Sequence, residues 1–230
     1  MKGRSIKDPY QHRILLAAEE LFLLYGYDKT TMEDIAKSAH VSKSTLYSRW
    51  NSKDALFFSL LWARMQQYIF AWRQRIEIAE DGGTLHGMFR LAMQELSVSP
   101  FMLAVFTRQE ALLGNLMQYP DMQKMLSQQL MMRSEMIVML QEAGVIRKDL
   151  DAEQFGFVMS CLRYGYLKIS DIITADYQVP DFDGTMRMIV DMVEMYTLPP
   201  DGGNPQAGKE MILKMTDQFI SYFENGNTTL

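Results

Sequence analysis

Residues 30–54 read TTMEDIAKSAHVSKSTLYSRWNSKD, and this stretch decides the fold. Thr31 is placed to cap a helix: its hydroxyl can accept from the Asp34 amide while the Asp34 carboxylate reaches back, a capping-box arrangement. Ile35, Ala36 and Ala39 then share one helical face. His40 and Val41 make a turn, and Ser42 caps a second short helix that opens at Lys43. Leu46 and Trp50, four apart, face inward and leave Lys43, Ser44, Tyr47 and Ser48 facing out. The pattern predicts a helix-turn-helix over residues 31–50. A short helix that buries one edge and shows Lys, Ser, Thr and Tyr on the other has what a DNA-reading helix needs.

The flanking segments agree. Residues 10–25 place Ile14, Ala18, Leu21, Phe22 and Tyr25 on one helical face, and Gly26 follows as a C-terminal cap, since glycine takes the left-handed conformation without strain. That helix is expected to close a small core of Ile35, Ala39, Val41, Leu46 and Trp50. Ser52 is placed to cap a longer helix from Lys53, whose amide-rich start suits phosphate oxygens.

In order and spacing, residues 13–60 resemble the N-terminal domain of the TetR family of bacterial transcriptional regulators. The resemblance rests on an ILLAAEELF helix, GY, TTMEDIA, VSKSTLY, an aromatic, then SKDALF. It implies DNA contacts at Thr31, Ser42, Lys43, Ser44, Thr45, Tyr47, Ser48 and Lys53. Tyr47 and Lys53 are expected on phosphates, with Lys43, Ser44, Thr45 and Ser48 nearest base edges. Arg49 stands where the family often has histidine and adds a further DNA contact; Trp50 stands where it usually has phenylalanine and should still fill the core.

The chain has 230 residues and a formal net charge of -5, which taken whole argues against a nucleic-acid partner. The charge is uneven: residues 1–60 hold nine Lys and Arg against seven Asp and Glu, a balance of +2 that leaves -7 for the other 170. An acidic body behind a mildly basic head fits the reading. The single cysteine, Cys161, excludes an intramolecular disulfide and fits a reducing compartment; its mid-helix setting predicts a buried, inert thiol. No run approaches the roughly 18 apolar residues of a membrane span, so no membrane partner is expected and the location is read as cytoplasmic, on the nucleoid when DNA-bound. Residues 1–9 read as a flexible basic arm, 10–55 as the DNA-binding domain, 56–224 as a helical body and 225–230 as a tail.

The body shows no strand-like alternation. Helices are expected over residues 53–78, 84–96, from Pro100 to Leu112, 120–143, 151–174, 183–196 and 207–223, which makes the fold all-α: a three-helix DNA-binding domain followed by a larger ligand-binding and dimerisation domain. Of 20 methionines, all but Met1 and Met32 lie beyond residue 60. Methionine adapts to varied apolar shapes, so a cavity for a small apolar or amphipathic effector is a reading alongside plain core filling. The lining candidates are Trp62, Met65, Phe89, Met93, Phe106, Met132, Met136 and Tyr164, with Arg108, Glu110, Arg133 and Arg163 to orient a polar end. The resemblance further implies a homodimer built from the last two long body helices, through Phe155, Met159, Leu162, Tyr166 and Ile169 on one and Met188, Met192 and Met195 on the other. The helix over 207–223 is an addition to the common pattern, placed either to brace the dimer or to cover the cavity.

His12, His40 and His86 are scattered, and no metal-binding or phosphate-cradling motif occurs. No catalytic residue, metal or cofactor is therefore expected. The sequence reads as a transcriptional regulator released from a palindromic operator by an effector; a coregulator or activator whose body binds a protein is the alternative.

Overall fold

Local capping chemistry sets most helix boundaries in the computed structural model, which describes residues 9–120, 122–123, 134–174, 177–178 and 180–224. Its helices are α1 (Pro9–Lys29), α2 (Met32–Ser38), α3 (Lys43–Tyr47), α4 (Lys53–Ile78), α5 (Leu85–Ser97), α6 (Pro100–Phe106), α7 (Glu110–Leu113), α8 (Ser134–Glu142), α9 (Ala152–Lys168), α10 (Phe182–Thr197) and α11 (Pro205–Glu224). The fold is all-α. Short side chains close the N-termini: Thr84 accepts from the Gly87 amide (3.0 Å), Asp151 from Gln154 (2.8 Å), Asp181 from Gly184 (2.7 Å) and Asn204 from Ala207 (3.0 Å).

Several boundaries differ from the sequence reading. Gly26 breaks α1 with φ 81°, but a helical turn resumes after it. That break turns Tyr27 inward and leaves Tyr25 exposed, the reverse of the expected face. The helix from Pro100 stops at Phe106, because Arg108 takes a left-handed φ of 50° before α7 starts afresh. α9 ends at Lys168 in a 3-10 turn, Ile169–Asp171, and α10 is capped by Asp181, two residues before the expected start. Of the helix expected over 120–143, residues 124–133 lie outside the described residues, as do the arm up to residue 8 and the tail from 225.

Contacts divide the chain into two units. The first holds α1 to α3, α4 as far as Tyr68, α6 and α7, a grouping that the sequence-based division at residue 55 did not contain. Its centre is aromatic: the Phe57 ring meets Phe22 at 5.2 Å, Tyr27 at 5.4 Å and Phe101 at 5.7 Å. Gly26 lies against the Ala111 carbonyl so closely that a Cβ would overlap it. The Asp28 carboxylate accepts from the Asn115 amide (3.2 Å), fixing the end of α1 on the turn after α7.

The second unit packs the end of α4 with α5 and α8 to α10 around Ile76, Phe89, Met93, Leu140, Met159, Met186 and Val190. Ile212 of α11 is fully buried in that core. The Lys209 ammonium donates to the Glu77 and Ala79 carbonyls at 3.1 and 2.9 Å, capping the C-terminus of α4. Arg73 of α4 donates to Asp217 at 2.7 Å. The added helix is thus pinned to the end of α4. The approach depends on glycine: a Cβ on Gly83 would overlap the Pro205 carbonyl, and one on Gly208 would overlap the Gly83 carbonyl.

The Gly83→Ala change should therefore destabilise the chain by about 1–3 kcal/mol, the usual cost of overpacking a close contact. Thermal unfolding followed by circular dichroism checks this; an unchanged midpoint would show that α11 does not seat here.

Candidate nucleic-acid interface

The interface begins with a capping box. The Thr31 hydroxyl accepts from the Asp34 amide at 3.1 Å, and the Asp34 carboxylate accepts from the Thr31 amide at 3.1 Å. The Thr31 hydroxyl also donates to the Asp34 carboxylate at 2.5 Å, and that bond, followed by the one from the Thr31 amide, holds the Asp34 carboxyl below the usual carboxylate range. The turn after α2 closes when the His40 and Val41 amides donate to the Lys37 and Ala36 carbonyls (3.1 and 3.0 Å), with His40 left-handed at φ 50°. Arg13 donates to the His40 carbonyl at 3.3 Å, tying α1 to the turn. Ser42 caps α3 by accepting from the Thr45 amide at 3.1 Å.

Five residues cannot sustain a helix alone, so α3 is held by its anchors. Leu46 is fully buried and Trp50 nearly so, and the Trp50 indole N–H donates to Ser59 of α4 at 2.8 Å. Ile35 and Ala39 complete this core, while Val41 is only half-buried.

On the other side α3 presents Lys43, Ser44, Tyr47 and Ser48 to solvent; Thr45 and Arg49 are half-buried. The hydroxyls bond among themselves: Ser42 with Ser44 and with Thr45, each at 2.8 Å, and Ser48 to the Thr45 carbonyl at 2.9 Å. Lys43 makes an ion pair with Glu33 of α2 at 2.8 Å. Glu33 was absent from the sequence reading, and no helical spacing rule links residues ten apart across a turn.

Lys53 sits differently from the residues of α3. Its ammonium donates to the Tyr27 and Thr30 carbonyls at 2.7 and 2.9 Å and lies 4.1 Å from the centre of the Tyr27 ring. Burial pulls its pKa down against the attraction of Asp28 and Asp54. The Tyr27 phenol donates to Asp54, and burial together with that bond pushes its pKa far up. Lys53 thus caps the end of α1 with two of its three N–H groups.

The other candidates divide between the two units. Trp62, Met65 and Phe106 belong to the first unit, where Phe106 meets Tyr68 at 5.8 Å. Phe89, Met93, Met136 and Tyr164 belong to the second: Phe89 and Met93 are core residues, Met136 packs against that core, and Tyr164 is 48% exposed. Met132 and Arg133 lie outside the described residues. A cavity of about 20 Å³ in the second unit, room for one water, is lined by His86, Val145, Glu194 and Thr197 among others and by none of these candidates.

Of the expected dimer residues, Phe155 and Met159 are corrected: both are buried in the protomer's own core, and Leu162 and Tyr166 pack against it. Both faces of α9 are apolar, and the sequence pattern selected the inner one. The outward face carries Phe157, Val158, Cys161 and Tyr164, so Cys161 is an exposed thiol rather than a buried one. Ile169, Met188, Met192 and Met195 are exposed.

Among the described residues no helix is long and apolar enough to cross a membrane. Residues 14–60 match the family model for bacterial regulatory proteins, tetR family. The chain is 32% identical over 79 residues to the HTH-type transcriptional activator FasR of Mycolicibacterium smegmatis, a match covering 34% of this chain and 36% of that protein. It thus spans about a third of the length of that curated relative. The fold is similar to the fatty acid degradation regulator FadR from Bacillus halodurans, with TM-score 0.58 and 18% identity over 82% of this chain and 96% of that one. It is also similar to FadR from Bacillus subtilis in complex with stearoyl-CoA, with TM-score 0.50 and 18% identity over 94% and 98% of the two chains.

The Thr31→Ala change removes the hydroxyl that accepts from the Asp34 amide and should destabilise the head by about 1 kcal/mol. Hydrogen exchange of the α2 amides, accelerated in the variant while the second unit is unaffected, is the check.

Proposed function

The N-terminal domain of this chain belongs to the tetR family of bacterial regulatory proteins, and from that premise we propose that the protein is a homodimeric, effector-responsive repressor. The observation that carries the reading is the two-sided α3: Leu46 and Trp50 anchor it while Lys43, Ser44, Tyr47 and Ser48 face outward. Such a helix enters the major groove and reads base edges, with Tyr47 on a phosphate. Two heads reach successive turns of one DNA face, roughly 34 Å apart.

The dimer forms through the outward faces of α9 and α10. Phe157, Val158, Tyr164, Met188, Met192 and Met195 are all about half exposed or more, a quantity of apolar surface that monomers rarely leave in water. An apolar or amphipathic effector binds the helical body and, through α4, alters the spacing of the heads. To switch the dimer from mostly bound to mostly free, the effector must favour the released state by about 10⁴-fold, roughly 5.5 kcal/mol. The similarity to the stearoyl-CoA complex makes long-chain acyl-CoAs the first effectors to test. The similarity to FasR, an activator by name, favours a second reading in which the same DNA contact promotes transcription; a reporter driven from the upstream promoter decides the sign.

Fluorescence anisotropy on DNA from just upstream of the gene, against a scrambled duplex, tests the reading, and tight binding to the upstream duplex alone is expected. The Tyr47→Phe change should weaken binding to every sequence by roughly tenfold, the loss of one hydrogen bond to a charged group worth about 1.5 kcal/mol. Equal binding by wild type and variant would remove Tyr47 from the interface.

The Met188→Asp and Met192→Asp changes should shift sedimentation from dimer to monomer and abolish operator binding while leaving the fold intact. A dimer that survives both would place the interface elsewhere.

A further inference from the structure

The ion pair between Glu33 and Lys43 is unusual for its position. A carboxylate on a surface that must meet a polyanion opposes association with any DNA, and Asp34 already supplies the capping carboxylate of α2. Glu33 instead reaches across to the first residue of α3 and holds its ammonium at 2.8 Å. Both side chains are about half exposed or more, at 49% and 63%. A pair so open to water adds little to stability; what it changes is where the two charges stand. The Lys43 bond also holds the Glu33 carboxyl below the usual carboxylate range, against the opposing charge of Asp34.

The short hydroxyls of the outward surface already bond within the protein. Ser44 and Thr45 bond to Ser42, and Ser48 to a carbonyl of its own helix. The Glu33–Lys43 pair therefore sets one donor and one acceptor side by side on the face of the helix-turn-helix. In the major groove a G·C pair presents the complementary set: guanine offers N7 and O6 as acceptors and cytosine its N4 amino group as donor. An A·T pair also carries a donor, adenine N6, but sets it between the N7 and O4 acceptors, so an ammonium meets single acceptors there rather than guanine's adjacent pair; a phosphate repels the carboxylate.

Resting on the repressor reading above, we propose that Glu33 and Lys43 act together as the reader of one G·C pair in each half-site. Lys43 donates to guanine while Glu33 accepts from cytosine. Glu33 is the specificity-determining partner: it weakens binding to DNA of every other sequence by withholding Lys43 from phosphates and by repelling them itself.

The test is selection of binding sites from a random duplex library with wild type, Glu33→Gln and Lys43→Ala, followed by salt titration on a scrambled duplex. The Glu33→Gln change keeps size and shape on an exposed side chain, so folding is retained. The wild type should enrich a G·C pair at one position of each half-site, and Glu33→Gln should relax that position alone. Its affinity for scrambled DNA should rise about three- to tenfold, with a salt slope steeper by roughly one phosphate contact. In a Lys43→Ala background the same change should gain clearly less, because the effect runs through Lys43.

Carbon-13 titration of the Glu33 carboxyl in the free protein checks the pair without DNA: its midpoint should rise when Lys43 is replaced by Ala. An unmoved midpoint would overturn the inference. So would a Glu33→Gln protein that selects the same base pair as wild type, or one that gains affinity equally with and without Lys43. A wild type that enriches no motif would instead overturn the regulator reading, and this one with it.

Discussion

The head depends on one half-buried ammonium group. Lys53 joins three segments: its N–H groups take the Tyr27 carbonyl at the end of α1 and the Thr30 carbonyl just before α2, from a position at the start of α4. The Tyr27 ring beneath it and the Tyr27–Asp54 bond complete the knot. An ammonium out of bulk water is held by what it bonds, so its desolvation is offset only while both carbonyls stay in place. The short α3 hangs between α2 and α4, and its direction follows from that knot. This changes the weight of Lys53 in the DNA reading. The resemblance implies a phosphate contact, but most of the donor capacity of Lys53 is spent inside the protein. Loss of affinity on its removal would carry a folding component that a change at Tyr47 would not.

What the sequence disclosed was the chemistry that acts within one turn of helix. Thr31 with Asp34, Ser42 with Thr45 and Ser52 with Ala55 all bond across three residues, and each cap could be read from the sequence. Bounds of α4 were legible to the residue for the same reason, with Ser52 before it and Gly82 and Gly83 beyond. Periodicity failed where a helix is apolar all round, since α9 offers Phe155 and Met159 on one side and Phe157, Val158 and Cys161 on the other. Choosing between such faces needs the neighbours, which are distant in sequence. Arg108 was illegible too: nothing local marks a left-handed arginine, and the break it makes between α6 and α7 follows from tertiary packing.

The methionine-rich body shows how composition can support two readings at once. Met93, Met159 and Met186 fill the core of the second unit, as plain packing would have it. Met188, Met192 and Met195 stand in solvent, which packing within one protomer does not explain. The residue type is the same, but helical register divides it between the two tasks. The glycines around α11 are more specific, because Gly83 and Gly208 bring two backbones closer than any side chain allows. With Lys209 capping α4 and Arg73 bonded to Asp217, the added helix has a defined seat at the end of α4, the helix that follows α3 in the chain.

Charge sets a limit on how such a head can bind. The formal excess in residues 1–60 is only +2, and Glu33 holds Lys43 while Lys53 is turned inward. Non-specific attraction scales with the phosphates neutralised, so one head of this kind grips DNA weakly and lingers little on the wrong sequence. In the proposed dimer, affinity comes from joining two heads, because the second binding event becomes intramolecular and gains an effective concentration without any new contact. That gain exists only while both heads fit their half-sites together. On the proposed reading a modest change in head spacing would suffice to forfeit it, so an effector acting on the body would not need to disturb the surface of α3 at all. Under the proposed function, weak, selective heads and a spacing-sensitive dimer would be two sides of one design: the fewer cations the head spends on phosphates, the more completely the body would control release.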